Sequence, residues 1–357
     1  MKIFDFKYLL PFGKTAAIIL ILPILAGCKS EQPKPAQVFK EEIRIKTTPV
    51  KDQGKSELCW AYAMLATIES QHLAQGDSVN LSSAFVARMM LKEQARKYYF
   101  SRGSQPINMR GMGPMLIHFI ENYGAEPYDS YEDAKDLNFK VLNKKIMHQA
   151  KTCAIQGKGL TVFEEKLEDE LDKQMGYMPG KFVHMLGAEY TPLEFAHSVC
   201  APEEYQFFTS FTHHPFGQYF KLETPDNKMN DSFYNIRLEH MMSLIEKTLK
   251  FGRPVFWEGD TSEEGFSFQK GIATLPKGIN INQSNRQREF ERLKTTDDHA
   301  MELVGIAQDE KGKKYFIAKN SWGTDNPYKG FMYLSYEYVA MKTICIGISG
   351  PKPPVLE

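Results

Sequence analysis

The sequence has no excess of charge of either sign, because 44 lysines and arginines stand against 44 aspartates and glutamates. Without a basic stripe, nucleic acid is not expected to be the main partner. The H-E-x-x-H metal motif, the C-x-x-C motif and the phosphate-binding P-loop are also absent. The adjacent His213 and His214 lack the spacing with which helical residues share a metal. We therefore predict no metal site and no cofactor.

Cysteine is scarce, with five in 357 residues. Four of them follow the N-terminal segment, at positions 59, 153, 200 and 345. If Cys59 stays a free thiol, the other three cannot all pair with one another. We expect no disulfide framework, although an oxidising compartment would permit one bridge.

The N-terminal apolar run, Thr15 to Ala26, is too short to cross a bilayer, which takes about 20 residues. Lysines at positions 2, 7 and 14 precede it, as in the charged and apolar regions of a signal peptide. The run ends in Leu25-Ala26-Gly27-Cys28, which resembles the bacterial lipobox. That resemblance implies cleavage before Cys28 and acylation of its sulfur and its amino group.

The N-terminus therefore predicts the location of the protein. Residues 1–27 are expected to be a lipoprotein signal peptide, and residues 28–46, which are polar and contain prolines, a tether. More than one acyl chain would anchor the protein stably in the bacterial cell envelope, on its periplasmic or surface face. Two alternatives are an ordinary cleaved signal and an apolar segment that remains as the anchor.

Three segments carry residues that suit one kind of chemistry: DQGKSELCWAY at 52–62, DDHAMELVGIA at 297–307 and KNSWGTDNPYKGFMYL at 319–334. Cys59 precedes a run of helix formers without Gly or Pro, so it should open a helix. The partial positive charge at that helix terminus favours the thiolate, which is the reactive form of cysteine.

A thiolate nucleophile needs a base, and His299 at the start of a strand-like run is the candidate. Asn320 follows another strand-like run and could orient the imidazole if the two strands are neighbours. The backbone N–H of Cys59 and the side chain of Gln53 could stabilise an oxyanion. Each residue alone is more often structural, and Trp60 or Trp322 could be core aromatics. The ordered set is what predicts a site.

These residues resemble the signature of the papain-like cysteine peptidases, in Gln53, Cys59-Trp60, His299 and Asn320-Ser321-Trp322-Gly323. The resemblance implies an oxyanion donor, a nucleophile, a general base and acid, and an orienting amide, in that order. It also implies that Trp322 shields the Asn–His hydrogen bond from water. Ser56 stands where the secreted cathepsins have a disulfide-forming cysteine.

The similarity is greater to the bleomycin hydrolase and bacterial aminopeptidase C branch, through segments such as TPVKDQGKSELCW, SFTHHPF and TTDDHAMELVGIA. That resemblance implies peptide substrates, aminopeptidase activity and a possible ring-like homo-oligomer. It also implies that the C-terminal tail, here residues 350–357, enters the cleft and meets the substrate's amino group with its carboxylate. Glu57-Leu58 departs from the small residues usual before the nucleophile.

The fold class predicted is α+β, a papain-like two-lobe arrangement with a helical lobe, an antiparallel β lobe and a largely helical insertion. Helices are expected over 59–71, 82–99, 113–123, 132–176 and 238–251, and strands from 254 onward. The peptidase domain is expected to span 47–357, with the insertion at about 130–235. Two other functions stay open: a cysteine amidase or acyltransferase acting on non-peptide substrates, and an inactive peptide-binding protein.

Overall fold

The computed structural model describes residues 37–134, 136–185 and 187–353. The predicted signal peptide, Cys28 and the last four residues lie outside these ranges. Within them, no helix combines the length and apolar character needed to cross a membrane.

The helices and strands alternate irregularly along the chain. The helices are α1 (Cys59–Gln75), α2 (Ser83–Phe100), α3 (Gly113–Tyr123), α4 (Phe139–Ile155), α5 (Gly159–Met175), α6 (Pro192–Val199), α7 (Leu238–Lys250), α8 (Gln283–Glu291) and α9 (Tyr336–Lys342). The strands are β1 (Phe39–Arg44), β2 (Val183–Met185), β3 (Ala188–Tyr190), β4 (Tyr205–Thr209), β5 (Tyr219–Lys221), β6 (Ser232–Asn235), β7 (Val255–Gly259), β8 (Phe266–Ser267), β9 (Ile272–Ala273), β10 (His299–Asp309), β11 (Lys314–Lys319), β12 (Phe331–Ser335) and β13 (Thr343–Ser349).

Helix α1 begins at Cys59, as predicted, but runs to Gln75 rather than to residue 71. Gly76 ends it in the left-handed conformation, at φ 89°, which glycine adopts without strain. Helix α2 begins after Ser82, whose hydroxyl accepts a hydrogen bond from the Phe85 N–H at 3.0 Å. From Trp60 to Gln71 every side chain of α1 is buried, so this helix is the centre of its lobe.

The main sheet has the strand order β5-β6-β4-β13-β7-β10-β11-β12-β9-β8, and β1 pairs with β10. Most pairs are antiparallel; β12 with β9 and β4 with β6 are parallel. His299 at the start of β10 pairs with Gly259 of β7, which in turn pairs with Thr343 of β13. The first residue of β10 thus lies at one end of the central strands.

The buried apolar side chains form two clusters. One cluster contains side chains from each of the helices α1 through α6. The other lies between the strands β7, β10, β11 and β12 and the helices α7 and α9. The α+β class and the two-lobe arrangement predicted from the sequence are therefore confirmed.

One predicted boundary was wrong. Residues 39–44, assigned to the tether, form β1 and pair with β10 from Phe39↔Asp309 to Arg44↔Gly305. The sequence FKEEIR is mostly polar, so its strand conformation depends on the partner strand and not on its own pattern. The predicted insertion at 130–235 contains α4, α5 and α6, and its later strands β4 and β6 join the main sheet.

Candidate active site

Cys59 occupies the first turn of α1, at the end of the loop that contains Gln53. That loop is attached to the β lobe, because Asp52 forms a bridge with Trp322 and the Gln53 N–H donates to the Ser321 carbonyl at 2.8 Å. The Cys59 sulfur lies in hydrogen-bond contact with the backbone of Ala300, the residue after His299. The structure thus brings together residues from both ends of the chain.

His299 and Asn320 lie on neighbouring strands, as predicted. Nε2 of His299 is 2.7 Å from Oδ1 of Asn320, and both side chains are buried. The same oxygen accepts the Ser321 N–H at 2.7 Å, so it is an acceptor. Nε2 must therefore carry the proton, which leaves Nδ1 of His299 free to accept one.

Trp322 covers the imidazole of His299. The two ring centroids are 4.4 Å apart, with 34° between the planes. Phe266 and Phe268 pack edge-on against the indole, with centroids at 5.9 and 5.4 Å. This apolar cover keeps water from the Asn320–His299 hydrogen bond and so strengthens it.

The side chain of Gln53 is held at both ends of its amide. Its Nε2 donates to the Ser56 carbonyl at 2.8 Å, and its Oε1 accepts from the Ser321 hydroxyl at 2.6 Å. An amide nitrogen has two donor hydrogens, so one is left for a ligand. The Ser56 hydroxyl donates to the Gln53 carbonyl at 2.7 Å and closes the loop without a disulfide.

Glu57 and Leu58, the departure before Cys59, have different environments. Leu58 is buried in the helical core, with 2% of its surface exposed. Glu57 lines the pocket and lies 3.9 Å from Lys140. Only Glu57 therefore changes the cleft wall.

Gln53, Cys59, His299 and Trp322 line one pocket of about 270 Å³. Five carboxylates also line it, against two cationic side chains. The acids are Glu57, Asp226, Glu258, Asp297 and Asp298, and the cations are Lys55 and Arg110. The sequence analysis missed this acidic character, which two signals could have indicated: Glu258 in the otherwise apolar strand PVFWEG, and Asp297-Asp298 directly before His299.

Burial governs the protonation of the ligand-free site. It raises the pKa of the Cys59 thiol to about 12, assisted by the nearby charge of Glu258. Burial also lowers the pKa of His299 to about 4, although the hydrogen bond to Asn320 opposes this. The expected stabilisation of a thiolate by the helix terminus is thus outweighed, and the pair is a neutral thiol beside a neutral imidazole.

A second cluster of polar side chains lies outside this pocket. Nε2 of His213 and Nε2 of His214 are 3.1 and 2.7 Å from the two oxygens of Glu223. These ligand atoms lie within 4.8 Å of one another, and Gln287 donates to Nδ1 of His213 at 2.9 Å. The spacing argument missed this group because Glu223 reaches the histidines across a turn. Its residue types suit a metal, but the imidazole–carboxylate hydrogen bonds alone account for it.

The chain is similar to known peptidases over most of its length. Residues 181–348 match the model of the Peptidase C1-like family. Aminopeptidase G of Lactobacillus delbrueckii subsp. lactis is 22% identical, over 85% of this chain and 80% of its own. Mouse bleomycin hydrolase is 20% identical, over 84% of this chain and 80% of its own length.

The same fold occurs in the crystal structure of PepW from Lactobacillus rhamnosis HN001. It superposes with a TM-score of 0.65 at 21% sequence identity, covering 87% of this chain and 81% of that one. Fold, family match and relatives agree with the resemblance seen in the sequence. The chain thus has the fold of the papain-like cysteine peptidases, matches the Peptidase C1-like family over residues 181–348, and is similar to aminopeptidases and bleomycin hydrolases over most of its length.

Proposed function

We propose that this protein is a cysteine aminopeptidase that uses Cys59, His299 and Asn320 as its triad and Gln53 as an oxyanion donor. One observation carries the proposal: a buried 2.7 Å hydrogen bond to Asn320 orients His299, which lines the same pocket as Cys59. An orienting amide on Nε2 is useful where Nδ1 exchanges protons with a nucleophile. The names of the aminopeptidase relatives support exopeptidase action.

The first half of the reaction is acyl transfer to Cys59. Nδ1 of His299 takes the thiol proton as the sulfur attacks the scissile carbonyl. Because the two events are concerted, no free thiolate has to form first, which the high pKa of the thiol would make unfavourable. The Cys59 N–H and the free Gln53 amide hydrogen donate to the oxyanion. His299 then gives its proton to the leaving amine, and the C–N bond breaks to leave a thioester.

The second half is hydrolysis of the thioester. His299 takes a proton from water, the hydroxyl attacks the acyl carbon, and the carboxylic acid leaves as Cys59 regains the proton. Asn320 holds the imidazole in one orientation through both halves, and Trp322 protects that hydrogen bond from water. No metal or cofactor is required.

A screen of peptides with free and acetylated N-termini tests this function. We expect release of the first residue from free peptides and labelling of Cys59, located by mass spectrometry, with a thiol-directed affinity probe. Labelling without hydrolysis of any amide would favour a binding protein. Hydrolysis of non-peptide amides alone would favour an amidase.

We further propose that the protein is anchored in the bacterial cell envelope by lipid on Cys28. The lipobox-like Leu25-Ala26-Gly27-Cys28 supports this proposal. Acylation at both the sulfur and the amino group would give the multiple chains that stable anchoring needs. Assembly into a homo-oligomer stays a prediction from the resemblance.

A further inference from the structure

One wall of the active-site pocket is acidic and is formed by Glu258, Asp297 and Asp226. Glu258 is on β7, where it pairs with Ala300 of β10. Paired residues of antiparallel strands have Cα atoms about 4.5–5.5 Å apart. Since the backbone of Ala300 contacts the Cys59 sulfur, Glu258 lies close to the point of attack.

Glu258 is buried without a compensating cation. Only 2% of its surface is exposed, and its described partners are the Cys345 thiol, at 3.6 Å, and the Gly113 N–H. Among the residues that the structure describes, none forms an ion pair with it. Burial and the charges of Asp297 and Asp226 raise the pKa of Glu258 well above its ordinary value.

Of its two acidic neighbours, Asp226 has a cation partner, and Asp297 has hydrogen bonds that involve the backbone. Arg110 pairs with Asp226 at 2.7 Å, and the same guanidinium donates to the Asp297 carbonyl at 3.2 Å. The carboxylate of Asp297 accepts the Asp226 N–H at 3.0 Å. A positive charge that enters the pocket would therefore find in Glu258 a carboxyl group without a cation partner, which can ionise beside it, with Asp297 next to it.

We propose that Glu258, supported by Asp297, binds a positively charged group of the substrate next to the scissile bond, and that this group is the free α-ammonium. An α-nitrogen is about 2.5 Å from the carbonyl carbon of its own residue, so it enters the pocket whenever that carbonyl reaches Cys59. In a longer peptide the same position holds an uncharged amide. The wall would thus select the first residue of a chain. This inference rests on the proposed aminopeptidase function.

The test compares four substrates: alanyl anilide, its N-acetyl form, N-acetyl-lysyl-alanyl anilide, and N-acetyl-norleucyl-alanyl anilide as the neutral control for the lysyl peptide. Glu258→Gln keeps the shape of the side chain and removes the carboxyl group that can ionise beside a cation. We expect the ratio of kcat/KM for free over acetylated alanyl anilide to fall about tenfold or more. Asp297→Asn should lower it less. Glu239→Gln, an exposed change on α7, is the matched control and should leave the ratio within about twofold.

The outcomes separate the sources of the charge. A selective loss on the lysyl peptide would assign the wall to a side-chain ammonium and would overturn the α-ammonium assignment. An unchanged ratio in both Glu258→Gln and Asp297→Asn, with wild-type melting temperatures, would overturn cation binding altogether. If Glu258→Gln does not fold, Asp297→Asn decides.

A binding measurement keeps the inference separate from the proposed function. If the wild-type protein cleaves no peptide, the function fails, but alanine amide should still protect Cys59 from alkylation by iodoacetamide. N-acetyl-alanine amide should protect it less. Equal protection by the two would overturn the inference.

Discussion

The hydroxyl of Ser321 donates to Oε1 of Gln53 at 2.6 Å, and the backbone carbonyl of Ser321 accepts the Gln53 N–H at 2.8 Å. The residue after the orienting Asn320 thus fixes the proposed oxyanion donor. Two sequence segments of the site are held in register by one residue.

Ser321→Ala should therefore impair the use of Gln53. We expect kcat to fall about tenfold with little change in KM, which is less than the ~100-fold that loss of an oxyanion donor costs. Ser321→Thr keeps a hydroxyl and should restore part of the rate. On a Gln53→Ala background, Ser321→Ala should add little, because both changes remove one interaction. Additive losses in this double-mutant cycle would contradict the relationship.

Cys59→Ala or Cys59→Ser should abolish hydrolysis and leave the fold intact, since only the nucleophile is removed. His299→Ala should be nearly as damaging, because base and nucleophile act as a unit, and Asn320→Ala should be milder. Cys153→Ala, a buried cysteine on α4 in the helical core, is the control and should retain activity. Hydrolysis rates are measured for each variant, and circular dichroism of the same samples checks the fold. Wild-type turnover by either Cys59 variant would refute the assignment.

The pH dependence should differ between blocked and free substrates. Because burial lowers the pKa of His299 to about 4, the imidazole stays neutral as pH falls, and kcat/KM for an acetylated substrate should fall only near pH 4. Burial and the neighbouring Asp226 raise the pKa of Asp297 to about 6, so its charge is lost below that pH. Burial also raises the pKa of Glu258 well above its ordinary value. Free-amine substrates should therefore lose their advantage as pH falls, at the latest below about pH 6, where Asp297 also loses its charge. Coincident profiles, with both limbs near pH 6.5, would contradict this.

Cys28→Ser should remove the thioether site and move the protein from the detergent phase to the aqueous phase in a phase-partition assay. The control is a serine substitution at Cys200, which is buried in the folded domain. Unchanged partitioning of Cys28→Ser would mean that the apolar segment itself is the anchor.

Deletion of residues 351–357 tests the competing source of the ammonium partner, the carboxylate of Glu357. Gly259 of β7 pairs with both His299 of β10 and Thr343 of β13, so the start of β13 lies near the active site. Ser349 is at the other end of β13, about 20 Å from Thr343. Lys352 lies over the ring of Tyr219, with 5.8 Å between its nitrogen and the centroid. We therefore expect the truncated enzyme to keep its preference for free amines. A shift of cleavage to internal bonds in mass spectra of peptide digests would instead support the tail.

The sequence predicted the positions of Cys59, His299 and Asn320 in the fold because each is tied to a local pattern: a helix start, a strand start and a strand end. It did not predict β1 or β4. FKEEIR has no alternating pattern, and the residues YQFFT of β4 are buried throughout, so neither shows a period of two. The acidic wall was missed because Asp226, Glu258 and Asp297 are far apart in the chain, and only the folded arrangement of one strand and two loops brings them together.

The pairing of β1 with β10 would limit how far the active site can lie from a membrane. If lipid on Cys28 holds one end, residues 29–38 are all that separate it from Phe39, and ten extended residues span at most about 36 Å. The enzyme would then be confined to a thin layer above the lipid headgroups. It would cleave short peptides that diffuse into this layer, and large substrates farther from the membrane would be out of its reach.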